Sequence, residues 1–450
     1  MRFNRIVASL SALLLVPIVS WAACTGSSPM WASTPDYTSV NSCVSQAQNG
    51  DRINVSVGSA TWASTLSFTK AISIIGAGIG NTVITAVAYE LFAITLSTNT
   101  YLTRISGFTF NLSGTHKAIS CSNDMSVPPR YNFRVDHNRF TNSSYGGAAV
   151  EAWDCRGVID NNTIDNIIYP FRVGWGTGGG AWDWQNLPEI VFGAANDNIY
   201  VEDNIISGVS TCVENAGEGG RYAFRYNSIT PINDMYPLFD IHNWQGITDW
   251  ASMGAEVYGN RVKLGSYGGF AMSWRGGRLN HMFNNYVTTG NNVSIHPYNN
   301  NGSCPIGTYA ARQLHNNGII LNNRLNSNGA LLGISLGNQD CGPISADAAY
   351  WKSNPSCMAP STCSNITTGV GCGILANLPT ACTNGTMYWA THQSCSDLSN
   401  LTGDIQTYPD RQTITGTMYR CESGTMVPYF SPLTYPHPLR SESRPSHRKY

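Results

Sequence analysis

The chain has 450 residues, a formal net charge of -1, 44 glycines and only 12% charged residues. Near-neutrality removes the general attraction that nucleic acid or an anionic membrane surface would need. A charged share about half the ordinary one, in a sequence crowded with Gly, Asn and Ser, excludes a long helical protein.

Residues 1–23 read as an export signal. Arg2 and Arg5 form a short basic region, an apolar run extends from Ile6 to Val19, and Ser20-Trp21-Ala22 is a small-x-small cleavage site. The mature protein should start near Ala23 or Cys24 and be secreted or extracytoplasmic, in the periplasm or at the cell surface. Lipidation at Cys24 is opposed by the bulky Trp21. No later run is long and apolar enough to cross a bilayer. All thirteen cysteines follow the apolar run, and their irregular spacing points to disulfides rather than zinc.

Residues 37–49 carry Val40, Cys43, Val44 and Ala47 at near-helical spacing, which predicts an amphipathic helix covering the open end of a sheet. GDRINV at 50–55 is the first strand; AISIIGAGIGNTVIT at 71–85 gives a strand, a glycine corner and another strand, and ISGFTF at 105–110 opens the next unit. Seven alternating strands then close on asparagine, aligning Asn138, Asn162, Asn204, Asn227, Asn260, Asn285 and Asn323. Their intervals of 24, 42, 23, 33, 25 and 38 residues suit coils of 23 to 25 residues, the longer ones carrying insertions or nearly two coils. Short amides at one corner, set in a tight and often left-handed bend, would bond from coil to coil in an internal ladder. Propellers and sandwiches would need more regular blade or hairpin signals.

GDRINV, the IIGAGIGNTVI corner and the serial Asn strands resemble the pectate-lyase-like superfamily over roughly residues 36 to 340, and Val135-Asp136-His137-Asn138 is similar to an interior motif of pectate lyases. The resemblance implies an all-β fold, a single-stranded right-handed parallel β-helix. The domain reading is a signal at 1–23, the β-helix with its helical cap at 24–340, a cysteine-rich loop appendage at 341–427 and a proline-rich extended tail at 428–450. Arg440, Arg444, Arg448 and Lys449 in the tail read as solubilising. Of the seven cysteines from Cys341 to Cys421, one should pair with an earlier cysteine or stay free.

The resemblance also implies a groove for extended polymers on the outer face of one sheet. Glu151, Glu214, Asp240, His242, Arg275 and His296 sit in strands or strand ends outside the Asn series, where one coil of rise would bring distant residues into line. Glu214 and Asp240 are a candidate carboxylate pair for glycoside hydrolysis. His242 or Tyr258 with Arg275 would serve a lyase, His242 being the best single candidate. Asp240, His242 and Trp244 should face outward with Ile241 inward, and Met272 and Trp274 should share a face one coil on. Trp153, Trp175, Trp182, Trp184, Trp244 and Trp274 are candidate sugar platforms, with the insertion at 174–189 as a groove wall. The adjacent catalytic aspartates and Gly-His-Gly of polygalacturonase-like members are missing, as is the Arg-x-Pro-x-x-Arg of calcium-type pectate lyases, so neither activity carries over. No motif requires a cofactor; the hard oxygen donors Glu151, Asp154 and Glu214 leave calcium as the metal the sequence admits. The expected partner is a polysaccharide or cell-surface glycan, acted on by a lyase or glycoside hydrolase, or else held by a non-catalytic adhesin or structural surface protein.

Overall fold

The computed structural model describes residues 24–441, apart from 115, 124–131, 144–146, 154, 175–197, 215–219, 233–236, 242–251, 253, 265–269, 275, 278, 290–293, 298–315 and 326–328. Each coil gives one short strand to each of three sheets, A, B and C in chain order. Phe133–Asp136, Arg139–Ser143 and Ala148–Trp153 make one coil, and Gly157–Asp160, Thr163–Ile167 and Phe171–Val173 the next. Sheets B and C each stack ten strands. A single coil cannot satisfy its own strand amides, so neighbouring coils supply the partners. The chain is a right-handed parallel β-helix.

One side chain per coil of sheet A builds the core's continuous column: Ile53, Ile74, Ile105, Val135, Ile159, Val201, Phe224, Val257, Met282 and Ile320 lie in register and all are buried. The seven asparagines stand where sheet A turns into sheet B, and they do form the ladder. The amide N–H of Asn138 donates to Asn162 Oδ1 at 3.0 Å, that of Asn162 to Asn204 at 3.0 Å, and the series continues to Asn285 and Asn323 at 3.2 Å. Each carboxamide N–H₂ tightens the corner as well: that of Asn204 donates to Glu202 O, Ile159 O and Asn227 Oδ1. Every interval between ladder asparagines is therefore one coil. The left-handed bend falls one residue earlier than the sequence reading placed it, at His137, Asn161, Asp203, Tyr226, Asn284 and Asn322, with φ between 51° and 56°. The ladder residue thus keeps both its amide and its side chain pointed along the stack.

Because this corner has only two residues, insertions collect elsewhere. The long connections leave the ends of sheet C strands, from Val173 to Ile199, Ile241 to Ala255 and Pro297 to Gly318. At the N-terminal end, helix α1 (Tyr37–Gln46) covers the open core with Val40, Cys43 and Val44, and the Asp36 side chain caps it by accepting from Ser39 N at 2.9 Å. The Cys24–Cys43 disulfide ties the hairpin Cys24–Ser27 and Met30–Ser33 to α1.

Sheets B and C end at Arg324–Leu325 and Gly333–Ile334, but sheet A continues past residue 340. Tyr350–Met358 pairs in parallel with Gly318–Leu321, Val370–Gly373 and Met387–Ala390 follow in parallel, and Thr417–Glu422 and Thr425–Phe430 close the sheet antiparallel. The expected loop appendage is thus built on an extension of sheet A, and Thr425–Phe430 is paired where an unpaired run was expected. It folds back so that Trp389, Met418 and Phe430 pack on Tyr258, Phe283 and Leu321 of sheet A's outer face. Disulfides Cys357–Cys363, Cys372–Cys395 and Cys382–Cys421 fasten it, as Cys121–Cys155 fastens the solenoid. Cys341 is also disulfide-bonded, and Cys212 is the free thiol among the described residues. No helix of the described residues is long and apolar enough to cross a membrane.

The last described segment lies as a strap across sheet A. Arg225 donates to Leu433 O at 2.7 Å and Arg134 to Arg440 O at 3.2 Å. Arg440, read as solubilising from the sequence, instead meets Asp160 at 3.2 Å, Glu202 at 2.9 Å, and Asp203. Outward carboxylates of two successive corners supply the countercharge that a local charge count could not reveal.

Candidate functional site

With much of sheet A's outer face covered, sheet C presents a long polar column. Register places Ser67, Ala93, Ser120, Glu151, Arg172, Glu214, Asp240, Ser273 and His296 at one position in successive coils. Their chain neighbours Phe92, Ile119, Val150, Phe171 and Phe239 belong to the buried core, so strand alternation turns Ala93, Ser120, Glu151, Arg172 and Asp240 outward, and Glu214 shares their backbone register. A second column beside it runs Thr95, Ser122 and Trp153.

Glu151 organises the described part of this face. Its Oε2 accepts from Lys117 Nζ at 2.6 Å and Trp153 Nε1 at 3.1 Å, while Oε1 meets Arg172 Nη1 at 3.1 Å. Lys117 lies 5.1 Å from the Tyr89 ring centroid, and Tyr89 is exposed. Glu151 itself is buried, so a carboxylate taken out of water is compensated by two cations and an indole N–H. It acts as an anchor for Arg172, Lys117 and Trp153. It does not fit a calcium site, because ammonium and guanidinium groups already occupy the directions a hard cation would need. Asp154 lies outside the described residues, and no group of metal-ligating residues occurs among those described.

Arg172, which the sequence reading passed over, stands in register between Glu151 and Glu214, and Asp240 follows one coil beyond Glu214. Asp240 is buried on this face. His296 closes the column two coils on; burial lowers its pKa below the ordinary histidine value, against a backbone hydrogen bond with Ser335 that raises it. Arg172 was detectable: each column residue from Glu151 to His296 lies ten to thirteen residues past its coil's ladder asparagine, as Arg172 does from Asn162 and Asp240 from Asn227.

Two expected site residues belong elsewhere. Trp274 aligns with Ile241, not with Asp240, and its indole is fully buried in the core. It and Met272 share an alignment with the inward residues Ile241 and Phe239, so Trp274 offers no face to a sugar. Tyr258 lies on sheet A, bonded to Arg225 at 2.9 Å beneath the C-terminal strands, where burial raises its pKa far out of reach of a base. Trp153 is half-exposed beside Glu151. His242, Arg275, Trp175, Trp182, Trp184 and Trp244 lie outside the described residues.

No family model matches the chain, and no curated protein does. Among solved structures, a variant of a PL6-family alginate lyase is similar at 13% identity and a TM-score of 0.38, over 90% of this chain and 57% of that one. The chain thus spans little more than half of that structure's length, and a likeness at this level carries nothing about activity.

Proposed function

We propose that the protein is an exported polysaccharide-cleaving enzyme, built on the pectate-lyase-like pattern, that holds an extended carbohydrate chain along the outer face of sheet C. The observation that carries this reading is the register Arg172, Glu214, Asp240 in three successive coils. Coils rise about 4.8 Å, so two carboxylates at equivalent positions one coil apart approach the separation of about 5 Å used by retaining glycosidases. In that reaction one of Glu214 and Asp240 attacks the anomeric carbon while the other protonates the departing oxygen. The second then activates the water that releases the sugar. Arg172, anchored through Glu151, orients the chain, and Trp153 adds a flat apolar surface at its edge.

Elimination is the second reading, supported by the same Arg172: a guanidinium beside the groove suits a uronate carboxylate, whose enolate needs a nearby positive charge. His242 would then be the base and Arg275 the further cation. Disulfides in both the solenoid and the C-terminal strands support an oxidising, extracytoplasmic location. The purified mature protein should be incubated with neutral and uronic polysaccharides and assayed for new reducing ends and for ultraviolet absorbance. Reducing ends without absorbance establish hydrolysis, and absorbance establishes elimination. Tight binding with neither would leave a glycan-binding surface protein and end the enzyme reading.

A further inference from the structure

A recess of about 530 Å³ lies where sheet C meets the N-terminal cap. Its floor includes Ser67, Ala93 and Thr95, and α1 contributes Asn41 and Ser45 as a wall. Lys70, also in the lining, donates to Val44 O at 2.9 Å and Ser45 O at 2.7 Å, so the last turn of α1 is tied to the sheet it overhangs. Ser67 and Ala93 are the first positions of the same column that continues through Ser120 to Glu151, Arg172 and Asp240. The recess is therefore the closed end of the proposed groove, with Ala93 about 10 Å and Ser67 about 14 Å from the level of Glu151 at the usual rise per coil.

The lining changes character along this path. Around Glu151 the face is charged, whereas the recess presents serine and threonine hydroxyls, a carboxamide and one ammonium group beside the apolar Val44, Phe68 and Ala93, with no carboxylate. Such a set donates to and accepts from sugar hydroxyls. A polymer lying along the column cannot continue past α1, so what reaches the recess is a chain end.

We propose that this recess is an end-binding subsite that seats the terminal sugar of a glycan chain and fixes its distance from the Arg172–Asp240 region. This rests on the groove reading of sheet C, and it adds that one chain end is recognised.

The test uses the full mature protein and size-defined cello-oligosaccharides and oligogalacturonates, with binding measured by calorimetry. Ser67→Trp and Ala93→Trp fill the recess, and Thr61→Trp on exposed sheet B is the control. Ser67 is exposed, so its variant keeps the test available if Ala93→Trp folds poorly. The expected result is affinity in one series that rises with length until the recess is reached. Filling the recess should then cost at least tenfold for the longer members and nothing for the shorter ones, with Thr61→Trp unchanged. Equal affinity of wild type and both filled variants at every length overturns the subsite while leaving the groove. No binding to any oligosaccharide overturns both. Length-dependent binding that the variants abolish, without cleavage by wild type, supports the subsite and overturns only the enzyme reading.

Discussion

Trp274 of sheet C fills the space that Gly318 of sheet A leaves empty across the core: a methyl group built on Gly318 would come within 2.8 Å of the indole Cζ3. A fully buried indole is large for so narrow an interior, and the missing side chain on the facing strand makes room for it. Gly318→Ala should overpack this level and cost about 1–3 kcal/mol, read as a lower urea midpoint. In a Trp274→Phe background the same glycine change should cost less, because the smaller ring leaves space. Equal costs in the two backgrounds would show that the pair is not in contact.

Asn204 illustrates a different kind of dependence. Its side chain accepts from Asn162 N and Asn162 Nδ2 and donates to Ile159 O, Glu202 O and Asn227 Oδ1, all in the buried corner. Asn204→Ala leaves several of these groups without partners, each worth about 1–3 kcal/mol when buried. The expected outcome is failure to accumulate as a folded protein, or a melting temperature far below that of a surface control such as Thr61→Ala. A loss within the range of ordinary surface changes would mean that the ladder is ornamental.

That ladder was the most legible feature of the chain, because one residue type recurs at one corner and the insertions fall elsewhere. The helical cap was legible for a similar reason, through apolar spacing in 37–49. The extension of sheet A past 340 was hidden because its strands, such as Val370–Gly373, no longer close on asparagine. Trp274 was misplaced because alternation in Phe270–Trp274 tells which residues share a face but not which face points inward, and Gly318, which decides it, lies in another sheet. Arg440 was misread since its carboxylate partners lie more than two hundred residues away. Glu214 and Asp240 could be nominated from their strands, but their equivalent positions in successive coils required the coil register.

The Arg440 network has a pH signature. Burial works to raise the Glu202 carboxyl, yet Arg225, Arg440 and the His437 amide overcome it and hold the pKa at about 2, against an ordinary 4.5. Burial is likewise overcome at Asp136 by bonds from His137 and Arg104 and by the nearby Arg134, leaving it at about 2 against 3.8. A carboxyl lowered in the folded state binds fewer protons there, so its stabilisation is complete above about pH 4.5 and is lost as pH falls toward 2. Burial raises Asp160 and Asp203, which opposes this loss over the acid range. Glu202→Gln should therefore flatten the acid limb of a denaturation series between pH 5 and 2. An unchanged slope would remove Glu202 as a contributor.

Removing Arg440 tests the strap directly, because it uncovers buried carboxylates at Asp160, Glu202 and Asp203 together. Breaking one partner of a buried ion pair costs about 3–5 kcal/mol. Arg440→Ala should loosen residues 433–441 before the solenoid melts, giving early proteolytic cleavage there while the ladder strands stay protected from hydrogen exchange. Simultaneous loss of both would instead make the strap part of one cooperative unit with the coils.

The sharpest test of the groove concerns Glu151, since it touches three other residues of the face and is not itself placed at the reacting bond. Glu151→Gln keeps the shape but removes the charge that holds Lys117 and Arg172. If Arg172 positions the chain, this variant should raise KM about tenfold with a smaller change in kcat. Asp240→Asn, in contrast, removes a proposed acid or nucleophile and should lower kcat by about 10² to 10⁴ with little change in oligosaccharide affinity. Arg172→Lys should restore part of the binding lost in Arg172→Ala, although an ammonium cannot reproduce the planar contact with Glu151. A kcat collapse in Glu151→Gln together with full activity in Asp240→Asn would move the reaction centre toward Glu151 and sink the assignment of Glu214 and Asp240.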